Sequence, residues 1–157
     1  MLAMIAFGAA LAASPAVSED KTLLTLPVAI DLARAAVEVC AAKGFQVSAS
    51  VVDAKGVPLV VLRDEASPKP PIAAPRKAAT AVMFDAPGSV MEPREKAEPE
   101  FAAKIAADPD HLNPHGGSLP LHAHGVLVGG LAIADTGHDI ADQCARAALA
   151  KFADRFQ

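Results

Sequence analysis

Two pairs of short β-type runs, each broken by a turn-forming sequence, limit this chain more than any other feature. Gln46–Asp53 and Val57–Arg63 flank Ala54-Lys55-Gly56, and the segment Leu119–Ala134 turns naturally at His124-Gly125. Runs of this length around Gly-containing turns pair most simply as antiparallel hairpins, with Asp53 and Gly56 as turn residues. Helical periodicity surrounds them. Thr25–Lys43 places Leu32, Ala36, Val39 and Cys40 on one side, with Thr25 available as a cap and Gly44 after the last turn. Ile72–Phe84 reads as a second helix that tolerates Pro75 in its first turn. From His138 to Phe156, apolar side chains recur every four residues at Ile140, Cys144, Ala148, Phe152 and Phe156, behind a capping box of Thr136 and Asp139.

The segments between are irregular. Ser67-Pro68-Lys69-Pro70-Pro71 belongs to a loop or sheet edge, and Asp85–Ser89 breaks the second helix. Pro93–Ala107 is charged and interrupted by Pro99, which predicts one or two short surface helices around Phe101 and Ile105, acting as a mobile flap. The order is helix, hairpin, helix, insert, hairpin, helix. Antiparallel hairpins with segregated helices make an α+β fold. The chain's 157 residues, 52% of them hydrophobic, hold a single domain.

A net charge of −4, with no basic run interleaved with aromatics, argues against nucleic acid as a partner. Met1–Ser18 carries no charged side chain and contains an apolar block, Leu2–Ala13, too short for a membrane span of about 20 residues. Residues 1–18 are therefore read as a secretory signal peptide, with Ala16-Val17-Ser18 before the cleavage point, although no Lys or Arg precedes the block. Residues 19–157 form the mature domain. The expected location is periplasmic or secreted, or cytoplasmic if the segment is not cleaved, with no stable membrane span after its removal. Export would permit a Cys40–Cys144 disulfide, provided the Cα atoms lie within about 7 Å. Otherwise each cysteine fills a small buried apolar position.

No Gly-x-Ser-x-Gly elbow, phosphate-binding glycine loop, His-Glu-x-x-His helix or Cys-x-x-Cys pair occurs, so hydrolase and nucleotide chemistry recede. Chemistry concentrates instead around the histidines, four of the five lying between Asn113 and His138. His124 sits at a hairpin tip, where left-handed backbone is common. His115 beside Gly116 and Gly117 is placed to present an imidazole into an open pocket, as axial ligation of haem iron requires. His111 in the same loop and His138 at a helix start are further candidates. His122 joins His115 as a candidate metal ligand if the turn bends back, though no fixed spacing demands it. Gly116-Gly117 and Gly129-Gly130 mark places where a helix or a flat ligand approaches the backbone. Arg76 and Lys77 are the candidate partners of a porphyrin's carboxylates, with solvation on the helix surface as the alternative.

The wording of several segments resembles the GlcG/HbpS family of small haem-binding proteins, whose domain also occurs attached to some cobalamin adenosyltransferases. The matching pieces are Val47–Gly56 leading to Leu59–Asp64; Ile72-Ala73 with Arg76–Ala81; Gly116–Leu121 through Gly125, with Val128–Ile133; and Asp142–Leu149. They cover most of residues 24–156. The resemblance implies a profilin-like antiparallel sheet of two hairpins with flanking helices, a homo-oligomer, and haem as ligand. The chain departs from the family at Lys55-Gly56, where a Gly-Gly pair is usual, and at Arg63-Asp64-Glu65-Ala66, where an Arg-Met-Asp-Gly type of segment is usual. The Pro-rich loop and the charged insert are also unusual. The resemblance carries no transferable ligand residue.

The leading expectation is an exported protein that binds haem or another small planar ligand, for sensing, storage or degradation. Its cofactor-binding candidates are His115, His122, Arg76, Lys77, Gly116 and Gly117. The competing expectations are a non-haem small-molecule or corrinoid binding module and an accessory subunit of an enzyme complex. No residue set specifies a positioned acid or base, so binding takes precedence over catalysis.

Overall fold

The computed structural model describes residues 24–156. The segment read as a signal peptide, residues 1–18, lies outside the described residues.

Helix α1 (Leu26–Ala41) runs into β1 (Ser48–Asp53) and β2 (Pro58–Arg63). Three helices follow: α2 (Ala73–Phe84), α3 (Gly88–Ala97) and α4 (Pro99–Ala106). The chain then forms β3 (Ser118–Ala123), β4 (Val126–Ala134) and α5 (His138–Ala150). The strands make one antiparallel sheet in the order β2-β1-β4-β3. Each expected hairpin is present, and pairing of β1 with β4, from Ser48 opposite Ala134 to Asp53 opposite Gly129, joins them into the expected α+β domain. The first turn is organised by the Asp53 carboxylate, whose Oδ1 accepts from the N–H groups of Lys55 (2.8 Å) and Val57 (3.0 Å). The second turn has His124 at φ 50° and Gly125 at φ 78°, a twist that suits a two-residue hairpin.

Helices α1 and α5 lie side by side on one face of the sheet, and α2 crosses the other. Alternation along β1 divides its side chains between the two layers. Val47, Ala49 and Val51 enter the main core with Leu32, Leu131, Ile133 and Phe156, while Val52 meets Ala78, Val82 and Ala132 beneath α2. The close seat of α2 depends on Gly130, where a Cβ would stand 2.7 Å from the Ala78 carbonyl oxygen. Cys40 and Cys144, both fully buried, form a disulfide across α1 and α5, their Cα atoms 5.5 Å apart.

Three local expectations are corrected. Thr25 occupies the N-cap position of α1 without a side-chain bond, and Gly137 rather than Thr136 caps α5, so neither proposed cap is made. Helix α5 ends at Ala150, short of the expected Phe156; Cys144, Ala148 and Phe156 of the four-residue recurrence are buried and Ile140 and Phe152 pack against them, with Ala141 and Ala145 widening the buried face. The charged insert is packed. Helix α3 starts at Gly88 inside the supposed breaker and carries Pro93 within it. Met91, Phe101 and Ile105 bury themselves with Ala81 and Leu112 as a second small core, and Phe101 meets the edge of Phe84 at 5.0 Å. This apolar anchoring replaces the flap.

Candidate functional site

The Gly116-Gly117 loop lies where α2, α3 and α5 converge. Lys77 is buried from the middle of α2, and its Nζ donates to the carbonyl oxygens of Gly116 (2.6 Å) and Ile133 (3.3 Å). Burial pushes this ammonium down to about 8, against the pull of the Glu92 and Asp135 carboxylates. Lys77 is thus a strut inside the fold, its ammonium engaged by two backbone carbonyl oxygens rather than solvated on the helix surface. The glycines are tightly covered as well. A Cβ on Gly116 would stand 3.2 Å from the His138 Cβ, and one on Gly117, at φ 98°, would stand 2.5 Å from the Ala141 Cβ. Helix α5 approaches both of them closely.

Glu92 on α3 closes this junction. Its Oε2 accepts from the Gly116 N–H (3.2 Å) and pairs with His138 Nδ1 (2.9 Å), and Lys96 donates to its Oε1 (3.3 Å). Burial works against its charge, but the Gly116 N–H, His138 and Lys96 outweigh it and hold the carboxyl down to about 2. His115 stacks on His138 with ring centroids 4.9 Å apart and directs Nε2 at Glu95 Oε2 (3.2 Å). The cleft outside, about 740 Å³, is polar and lined by Ser89, Glu92, Lys96, Gly116, His138 and Asp142. The depressed pKa sets a pH window. Glu92 binds fewer protons folded than unfolded, so its contribution is complete above pH 4.5 and lost as pH falls toward 2. Glu92→Gln is expected to cost about 1 to 2 kcal/mol at pH 7, allowing for the carboxylate's solvent contact, and to flatten the stability profile over that window. Urea denaturation at pH 7, 4 and 3 checks it, and parallel profiles for parent and variant would refute it.

The other expected site residues are dispersed. His122 pairs its Nε2 with Asp85 Oδ1 (2.9 Å) beside a separate shallow groove that includes Leu119, Arg146 and Phe156. His115 and His122 therefore share no site, and the described residues contain no group of three or more His, Cys, Asp or Glu arranged for a metal. Arg76 bonds the carbonyl oxygens of Leu112 (2.9 Å) and Pro109, fastening the loop after α4 to α2. Its guanidinium holds this loop from a place in the lining of a groove beside α2.

Sequence reasoning passed over Glu92 and Glu95 because the expected surface helix began at Pro93 and left Glu92 outside it, although their spacing of three puts them on one helical face. It also passed over an apolar groove of about 630 Å³ between the first hairpin turn and α2. Pro58, Pro75, Ala79, Val82 and Met83 supply its apolar wall. Lys55, Arg76, Asp108, Asp110 and His111 stand around it. The turn is held against α2 at Gly56, whose Cβ would lie 3.3 Å from that of Ala79. The large exposure of Met83, 62%, is the surface signal of this groove.

Comparison with known proteins agrees with this architecture. The family model described as "Haem degrading protein HbpS-like" matches residues 24–150. The crystal structure of HbpS is 35% identical, covering 90% of this chain and 98% of that one, with a TM-score of 0.73. A double mutant of Streptomyces reticuli HbpS is 34% identical, covering 93% and 97%, with a TM-score of 0.72. The PduOC:haem complex is 27% identical, covering 82% and 94%, with a TM-score of 0.74. No curated protein sequence matches the chain.

Proposed function

The chain belongs to the HbpS-like family, and from that premise we propose that it is a haem-binding protein whose receptor is the apolar groove beside α2. The observation that carries this reading is the groove's chemistry. Its wall of Pro58, Pro75, Ala79, Val82 and Met83 suits the face of a porphyrin, and Lys55 supplies a rim cation for the ring's carboxylates. A histidine, His111, stands at the same groove, and haem would supply redox-active iron there. The cleft over Glu92 is a poorer host, because Glu92, Lys96, His138, Asp139, Asp142 and Gln143 line it with only Pro93 as an apolar surface, whereas the groove's two carboxylates, Asp108 and Asp110, stand around an apolar wall. The likeness to a haem complex supports haem as the ligand.

The reading places the mature protein in the periplasm or outside the cell, as a homo-oligomer. A buried disulfide supports an oxidising compartment, and the apolar block before Ser18 supports export.

The test is a haemin titration of the protein from Glu19 onward, followed at the Soret band, with His115→Ala and His122→Ala alongside. Saturable binding is expected in all three proteins, because both imidazoles have carboxylate partners and lie outside the groove. A featureless, non-saturating curve for the parent would remove haem from the reading and favour a non-haem small-molecule or corrinoid module.

A further inference from the structure

We propose that His111 is the iron-ligating imidazole of this groove and that Asp108 positions it, an inference that rests on the haem-binding reading. His111 Nδ1 lies 2.6 Å from Asp108 Oδ1, one helical-turn spacing away in the loop that follows α4. A carboxylate at Nδ1 keeps the proton there and leaves the Nε2 lone pair outward, the arrangement that metal-bound histidines adopt. Among the described residues, Nε2 of His111 has no hydrogen-bond partner.

The loop is built to hold this ring in place. The Leu112 N–H bonds the Asp108 carbonyl oxygen (2.9 Å), Arg76 bonds the Leu112 carbonyl oxygen (2.9 Å), and the Leu112 side chain is buried with Met91, Phe101 and Ile105. A solvent-exposed imidazole is thereby mounted on a packed base. The packed insert acquires a purpose: its small core anchors Leu112, which lines the groove beside His111.

The remaining histidines are worse placed. His115 and His122 have Nε2 on Glu95 and Asp85. His124 occupies the tip of the second hairpin, away from the groove lining. His138 also has a carboxylate at Nδ1, but its ring is stacked on His115 beside the acidic cleft. Among the described histidines, His111 alone combines an imidazole held by a carboxylate at Nδ1 with a place in the lining of the apolar groove.

The experiment compares parent, His111→Ala, Asp108→Asn and His138→Ala in titrations with haemin and with metal-free protoporphyrin IX, adding electron paramagnetic resonance of the haemin complexes. His111 is exposed, so folding is expected to persist, and circular dichroism melts verify it. Expected results are an imidazole-ligated spectrum in the parent and its loss in His111→Ala, with haemin affinity down by at least about 10-fold. Added imidazole should restore the spectrum. Asp108→Asn should weaken haemin by up to about 10-fold, and metal-free protoporphyrin should bind all four proteins alike. A parental haemin spectrum in His111→Ala, or its loss in His138→Ala alone, would overturn the assignment while leaving haem binding intact. Failure of both porphyrins to saturate the parent would overturn the haem reading and this inference with it.

Discussion

Replacing Cys40 and Cys144 together by alanine is expected to lower the unfolding free energy by about 3 to 5 kcal/mol. The bridge spans a sequence separation of 104 and fastens α1 to α5, the two helices that cover one face of the sheet. Closing a loop of roughly 100 residues in the unfolded chain corresponds to about 4.7 kcal/mol in the chain-entropy model. Domains of this size are stable by only about 5 to 15 kcal/mol, so the loss removes from about a fifth to all of the margin. Both sulfurs are buried among apolar side chains, and the double alanine variant also sheds their packing. Urea denaturation of the parent with and without reductant isolates the covalent contribution. Coincident transitions would show that the cross-link adds no stability. A large gap would strengthen the argument that the mature protein works where thiols are oxidised.

Gly117→Ala is expected to cost about 3 to 5 kcal/mol, through two effects that act together. Gly117 holds φ at 98°, and its carbonyl oxygen receives the Ile133 N–H at 2.8 Å, which ties the loop to the sheet. A methyl group there would stand 2.5 Å from the Ala141 Cβ and 2.9 Å from the Ile133 carbonyl oxygen, so α5 or β4 has to move. Gly125→Ala is the control. Its φ is 78°, but an added Cβ meets nothing within 4 Å, and only the left-handed backbone cost of about 1 kcal/mol applies. Equal losses in the two variants would refute the packing argument and return Gly117 to the role first expected of it, an opening for a ligand.

The two hairpins were legible because turn and strand signals operate within a few residues. Asp53, Gly56 and Gly125 act at the turns as their residue types require, and alternation along β1 separates the two buried layers. Helix α2 was legible for the same reason, with Pro75 in its first turn. The first half of helix α3, from Gly88 to Glu92, was not. The expected breaker and Pro93 argue locally against a helix there, while the burial of Met91, which depends on Phe101, Ile105 and Leu112, argues for a packed one. Of the two outcomes open to the cysteines, burial alone could be read from helical periodicity. Pairing required α1 and α5 to lie together.

The residues selected around Gly116 show the same division more sharply. Composition identified histidines and glycines as the chemical material of the chain, and local pattern placed them in a loop, a hairpin and a helix start. It could not assign their partners, because His115 with Glu95, His138 with Glu92 and Lys77 with the Gly116 carbonyl are contacts between separate elements. Local dihedral preference, turn chemistry and side-chain alternation therefore specified the elements and the α+β class. The packing of α2, α3 and α5 around one loop specified which groups are spent on the fold, and left an oriented imidazole beside an apolar groove. Burial and ionic pairing depend on distances in space, which the order of residues along the chain encodes only through the completed fold.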